Sequence, residues 1–202
     1  MISIEFDTKG MERILSPLAG LPKEITKALK LAARRTGQSL RSDIRKGVRA
    51  ESYLRGGDIG KAFGVLEVKE AGTAVTASFR VAGGWLPADH FKLIPNRVTA
   101  RKRVRSVKWP SAGFKIGPSE PVRRPEGGSG LSKAFIILLN GKKMMFQRYG
   151  KKRGALERVP GYSVQYFSVF DRVQKPAMER ARSTFEKRLA HEVERILSLI
   201  HI

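Results

Sequence analysis

The sequence predicts an α+β fold: long N-terminal and C-terminal helices packed on a small, mainly antiparallel sheet, with a long basic loop between them. Three observations predict it. Apolar residues recur at three- and four-residue steps over 25–48, and at four-residue steps over 173–197, the spacing of one buried helix face. Segments 65–68 and 75–81 alternate with period two, as half-buried strands do. Asn140-Gly141 joins two apolar runs, and this dipeptide suits a tight hairpin because both turn residues need positive φ.

The elements follow in order. Ile2, Ile4 and Phe6 alternate as a short edge strand, and Met11 to Leu18 fits a short helix stopped by Gly20. Pro22 suits a first helical turn, where its missing N–H is no loss. Beyond it Ile25, Leu29, Ala32, Ala33, Thr36, Leu40, Ile44 and Val48 mark one face of a long helix. The other face carries Lys27, Lys30, Arg34, Arg41 and Arg45, and it reads as a solvated face rather than a DNA contact. Gly56-Gly57 breaks the pattern, and Asp58 suits the cap of a short helical turn. Ala71-Gly72 joins the two alternating segments into an antiparallel pair.

From Gly83 to Gly130 the chain is basic and punctuated by Gly and Pro, with short apolar patches at 91–94, 104–109 and 114–116. A segment of this length without a clear period reads as a functional loop, and its end, EGGSG at 126–130, as a flexible hinge. The hairpin 133–149, a basic turn and a short helix around 163–171 come next. The last helix is expected to hold Pro176 in its first turn and to bury Val173, Ala177, Ala181, Phe185, Leu189, Val193 and Leu197. No repeat or sharp boundary is visible, so residues 1–202 are read as one domain.

Forty Lys+Arg against 18 Asp+Glu give a formal charge of +22. A chain this basic belongs beside polyanion, because self-repulsion otherwise opposes compactness. The excess concentrates between Arg97 and Arg124, where Glu120 is the only acid. Cations on a long loop without acids to pair them meet phosphate without reading sequence. The DNA-facing candidates are therefore Arg97, Arg101, Lys102, Arg103, Arg105, Lys108, Arg123 and Arg124. The final helix instead mixes Asp171, Glu179, Glu186, Glu192 and Glu194 with its bases, as an ordinary solvated or packed helix does. Trp85, Phe91, Trp109 and Phe114 interleave with bases as in a stacking platform for single strands. Each sits in an apolar patch, however, and is read as core or subunit interface.

No residue set points to catalysis. His90, His191 and His201 are too scattered for a ligand set, and no Asp/Glu cluster offers a metal site for phosphoryl transfer. Residues 127–130 lack the Lys-Ser/Thr of a P-loop, and Ser129 lies in no nucleophile elbow with credible partners. Neither an enzyme activity nor a cofactor or metal is expected. Cysteine is absent, which rules out disulfides and fits a reducing compartment. The longest apolar run, Ala134 to Leu139, falls far short of the ~20 residues of a membrane span. Residues 1–6 lack the basic and apolar regions of a signal peptide.

The wording of 134–149, AFIILLNGKKMMFQRY, followed by a basic turn, a connector and a closing helix, resembles the C-terminal half of phage minor tail protein Z and its tail-completion relatives. The resemblance covers about residues 130–198, a hairpin-plus-helix module over 131–198. It departs from the family pattern at Ala155-Leu156, where the family has Pro-Ile. It implies a structural virion protein, assembled in the bacterial host cytoplasm, at the head-proximal end of a phage tail. Tail completion and head–tail joining would be its work. The implied partners are further copies in a ring, six-fold by expectation, then the tail terminator, tail tube and neck proteins, with duplex DNA passing non-specifically through the channel. The alternative is a free, sequence-independent nucleic-acid-binding protein, distinguished by a monomeric or dimeric state and exposed stacking aromatics.

Overall fold

The computed structural model describes residues 1–7, 11–71, 74–99, 111–127, 131–149 and 155–200. The chain divides into two compact units, one of residues 1–47, 60–82 and 168–202, the other of 48–59 and 83–167.

In the first unit, β1 (Ile2–Asp7), β2 (Phe63–Ala71) and β3 (Ala74–Val81) form an antiparallel sheet in the order β1-β3-β2. Period-two alternation selects the buried face. Ile4 pairs with Ala77 and Phe6 with Val75; these residues, with Ile2, Phe79 and Val81, are buried, whereas Ser3, Glu5 and Arg80 are exposed. The strand expected from Ile2, Ile4 and Phe6 is thus present, at a sheet edge.

The short helix α1 (Glu12–Leu15) and a 3-10 turn (Ser16–Leu18) lead to α2 (Pro22–Glu51). Its apolar positions Leu29, Ala32, Ala33, Leu40 and Ile44 are buried as the periodicity requires. The basic face is only partly solvated. Lys27, Lys30 and Arg34 are exposed, but Arg41 Nη2 donates to the Phe63 carbonyl at 3.0 Å, and the Arg45 guanidinium lies 5.7 Å from the Phe63 ring centre.

The last helix, α5 (Asp171–Ile200), buries Val173, Ala177, Ala181, Phe185, Leu189 and Val193, and Phe185 stacks on Phe6 with ring centres 4.1 Å apart. Burying one such side chain stabilises by about 1.5–3 kcal/mol. Two expectations for this helix need correction. Ile196, not Leu197, completes the buried stripe; it follows Leu189 by seven residues and returns to within ~20° of it, whereas steps of four drift round the helix. The helix also starts at Asp171, with Val173 and Gln174 N–H donating to the Phe170 carbonyl, so Pro176 lies inside it, beyond the first turn. The proline there forgoes one backbone hydrogen bond.

Glu192 is a further correction. Grouped by the sequence reading with the acids of an ordinary mixed helix, it is 0% exposed. Arg35 Nη1 lies 2.6 Å from Oε1 and Arg195 Nε donates to Oε2 at 2.9 Å. A charge taken out of water must be met by opposite charge and hydrogen bonds; both guanidiniums supply the charge, and Arg195 supplies the hydrogen bond.

The helix α3 (Gly56–Ala62), whose first four residues belong to the second unit, begins at the Gly-Gly pair itself. Asp58 lies inside its first turn rather than capping it, and its Oδ2 is 2.8 Å from His90 Nδ1. β4 (Lys92–Ile94) pairs with β5 (Gly113–Lys115), and β6 (Phe135–Leu139), β7 (Lys142–Arg148) and β8 (Leu156–Arg158) form a second antiparallel sheet. The short helix α4 (Val164–Ser168) follows. The α+β class stands, but the one small sheet expected is three. Asn140 (φ 49°) and Gly141 (φ 71°) form the two-residue turn of the β6–β7 hairpin, as their sequence requires.

Of the long basic loop expected over 83–130, the described residues 83–99 and 111–127 need correction too, while 100–110 and 128–130 lie outside the described residues. Phe91, Leu93, Ala112, Phe114 and Ile116 are buried. The stretch is stitched into the unit by Thr99 N–H to the Ile136 carbonyl (2.9 Å), Ile136 N–H to Thr99 Oγ1 (2.7 Å) and a reciprocal pair between Phe114 and Arg123 (2.9 Å each). Strands of three residues offer too few positions for a period to show. Part of the hinge read at 126–130, and Gly72 of the β2–β3 connection, lie outside the described residues.

Candidate nucleic-acid interface

The forty bases divide evenly, twenty to each unit, whereas twelve of the 18 acids fall in the first unit and six in the second. The formal charge is therefore +14 in the second unit against +8 in the first, and two clefts in the second unit collect part of it.

Arg55, Lys92, Lys142 and Lys143 line a cleft of about 400 Å³. Each arrives from a different local cause. Arg55 precedes α3, Lys92 opens β4, and the tight Asn140-Gly141 turn delivers Lys142-Lys143 at the start of β7. Lys143 Nζ donates to both the Asn96 carbonyl and Asn96 Oδ1 at 2.9 Å, so its positive charge is placed by neutral oxygens and left uncancelled. Lys92 Nζ lies 5.3 Å from the Tyr53 ring centre and pairs across the β4–β5 ladder with Lys115. Like charges directly opposite on a ladder are destabilising, so this arrangement costs stability unless an anion lies against it. Among the described residues Asp89 is the one carboxylate lining this cleft, and Arg158 takes it with Nε and Nη2 at 2.9 and 2.7 Å. That hydrogen-bonded carboxylate holds the Arg158 pKa above its ordinary value.

The second cleft, about 380 Å³, is bordered by Trp85, Phe114, Arg123, Arg124, Gln147 and Tyr162. Arg123 is half-buried, 4.7 Å from the Tyr162 ring centre and 3.8 Å from Glu120, while Arg124 is exposed.

No family model, no curated protein and no solved structure matches the chain.

Of the eight DNA-facing candidates, Arg101, Lys102, Arg103, Arg105 and Lys108 lie outside the described residues. The other three are not gathered into one patch: Arg123 and Arg124 border the aromatic cleft, and Arg97 is exposed next to Asn96, which borders the cationic one. Arg55, Lys92, Lys142 and Lys143 were missed because they are separated by up to 88 residues in sequence and meet only in the fold. Of the four interleaved aromatics, Phe91 and Phe114 are core, with ring centres 6.1 Å apart, as the sequence reading held. Trp109 lies outside the described residues, and Trp85 is exposed.

Among the described residues no group of three His, Asp or Glu side chains is arranged to hold a metal ion, and no helix is long and apolar enough to cross a membrane. The arrangement offers concave positive charge.

Proposed function

We propose that this chain is a structural, non-catalytic tail-completion protein at the head-proximal end of a phage tail, acting in tail assembly and head–tail joining. It forms a ring whose second unit turns its basic surface towards duplex DNA in the channel. The resemblance of residues 130–198 to minor tail protein Z supplies the setting and the neighbours: tail terminator, tail tube and neck proteins. The observation that carries the DNA-facing part is the cationic cleft of Arg55, Lys92, Lys142 and Lys143, whose one lining carboxylate is already occupied by Arg158. Such a surface attracts phosphate through counterion release and carries no base-reading geometry. Self-association is supported by strand β6, at the edge of its sheet, which leaves Leu138 59% exposed and Leu139 46% exposed.

Negative-stain electron microscopy of the purified protein, alone and with tail-tube ends, tests the ring; closed rings are expected. A protein monomeric by light scattering and present singly in virions would overturn it. Replacing Arg101, Lys102, Arg103 and Arg105 with Glu is expected to impair DNA passage. Fully infective particles from that variant, with an unchanged salt dependence of DNA binding, would remove those four residues from the DNA-facing set.

A further inference from the structure

Trp85 is 72% exposed although it belongs to a tightly tied segment. Ala88 N–H donates to the Val159 carbonyl at 2.9 Å and Gly161 N–H to the Leu86 carbonyl at 2.7 Å, with Pro87 bridged to Pro160 between them. Gly161 is the residue that lets the two segments close. A β-carbon there would lie 2.6 Å from Phe91 Cε2 and 2.7 Å from the Leu86 oxygen, distances real side chains do not tolerate. The clamp holds Trp85 beside Tyr162, ring centres 5.8 Å apart and planes at 43°. The rings are tilted rather than stacked, and most of the Trp85 surface stays open to solvent. Arg123 backs Tyr162, and Arg124 stands exposed at the same cleft.

We propose that this cleft binds unpaired nucleotides of a single strand, with one base against Trp85 and its phosphate on Arg124 and Arg123. The proposal rests on the reading that the second unit meets DNA, and it adds a ligand that the cationic cleft does not distinguish. Aromatic faces accept any base, and base–aromatic stacking contributes to affinity without sequence preference. A cleft of about 380 Å³ lies at the lower end of the ~300–1,000 Å³ usual for small-ligand sites, the size for one base with its phosphate. Bases in a duplex are stacked on one another and cannot enter, so this site separates unpaired from paired DNA. A proline-rich peptide also docks on aromatic grooves, but such a peptide gives the paired arginines no anion to bind.

The chain has two tryptophans, so Trp109→Phe makes Trp85 the sole tryptophan reporter. That protein is titrated with a fifteen-nucleotide oligo-dT and with a duplex of equal length at fixed salt. Oligo-dT is expected to quench Trp85 fluorescence. Trp85→Ala weakens oligo-dT binding by about tenfold and leaves duplex affinity and its salt slope unchanged, while Trp85→Phe keeps most of the single-strand affinity. Equal oligo-dT affinity for Trp85→Ala and its parent would overturn the site. So would quenching by a proline-rich peptide where oligo-dT gives none. If duplex binds while oligo-dT leaves Trp85 unperturbed, this site alone falls; if neither binds, the DNA reading of the second unit falls with it.

Discussion

In the unit built on β1, β2 and β3, bases are answered by carboxylates. Arg35 and Arg195 close on buried Glu192, Arg180 lies 3.3 Å from Asp43, and Lys30 lies 2.9 Å from Glu70. In the unit that carries the two clefts, Arg55, Lys92, Lys142 and Lys143 converge on a surface whose one lining carboxylate, among the described residues, is held by Arg158. Equal numbers of Lys and Arg thus have different consequences. Where acids accompany them, positive side chains serve the fold, locking long helices to one another. Where acids are scarce, they leave a net field that only an outside anion can neutralise. Net charge alone does not locate an interface; the distribution of acids does.

This contrast can be broken most forcefully by attacking the packing on which the first unit rests. Phe185→Ala removes a buried ring stacked on Phe6 and is expected to cost about 3–5 kcal/mol, read as a lower urea midpoint. Normal stability with lost assembly would instead make this helix face an interface.

Next in size is Arg35→Ala. It leaves Glu192 with Arg195 alone, and breaking a buried pair from the base's side should cost about 3 kcal/mol. Glu192→Gln should cost less, since half-exposed Arg35 and Arg195 can return to water. If the two variants melt alike, Glu192 is not the stranded partner. Gly161→Ala sharpens the contrast from the other side, because the second unit also depends on close packing where it holds Trp85. Overpacking against Phe91 and Leu86 should cost about 1–3 kcal/mol and shift Trp85 fluorescence. The smallest effect is expected for single Gln replacements of Arg55, Lys92 and Lys142, each changing stability by less than about 0.5 kcal/mol. Large losses there would show that these cations serve the fold after all.

Much of the architecture was legible in sequence wherever a local rule suffices. Period two exposed β1 and β3, Asn140-Gly141 dictated the hairpin turn, and a four-residue stripe marked the buried face of α5. The three-residue strands β4 and β5 were not legible, because their identity comes from pairing with each other and with Arg123 rather than from their own pattern. Glu192 was misread because a carboxylate becomes tolerable in the interior only when Arg35, 157 positions away, arrives beside it. The cationic cleft failed to register for a related reason: its members are ordinary isolated lysines and arginines until the chain folds.

The salt dependence of duplex binding tests the division of labour between the two units most directly. The logarithm of affinity is measured against the logarithm of salt concentration for the parent protein and two variants. One replaces Arg55, Lys92, Lys142 and Lys143 with Gln; the other makes the same change at four exposed bases of the first unit, Arg34, Lys61, Arg182 and Lys187. If the second unit meets phosphate, the first variant loses about 3–4 from the slope, roughly 0.9 per contact, while the second keeps the parental slope. Equal losses in the two variants, or a parental slope in both, would contradict it.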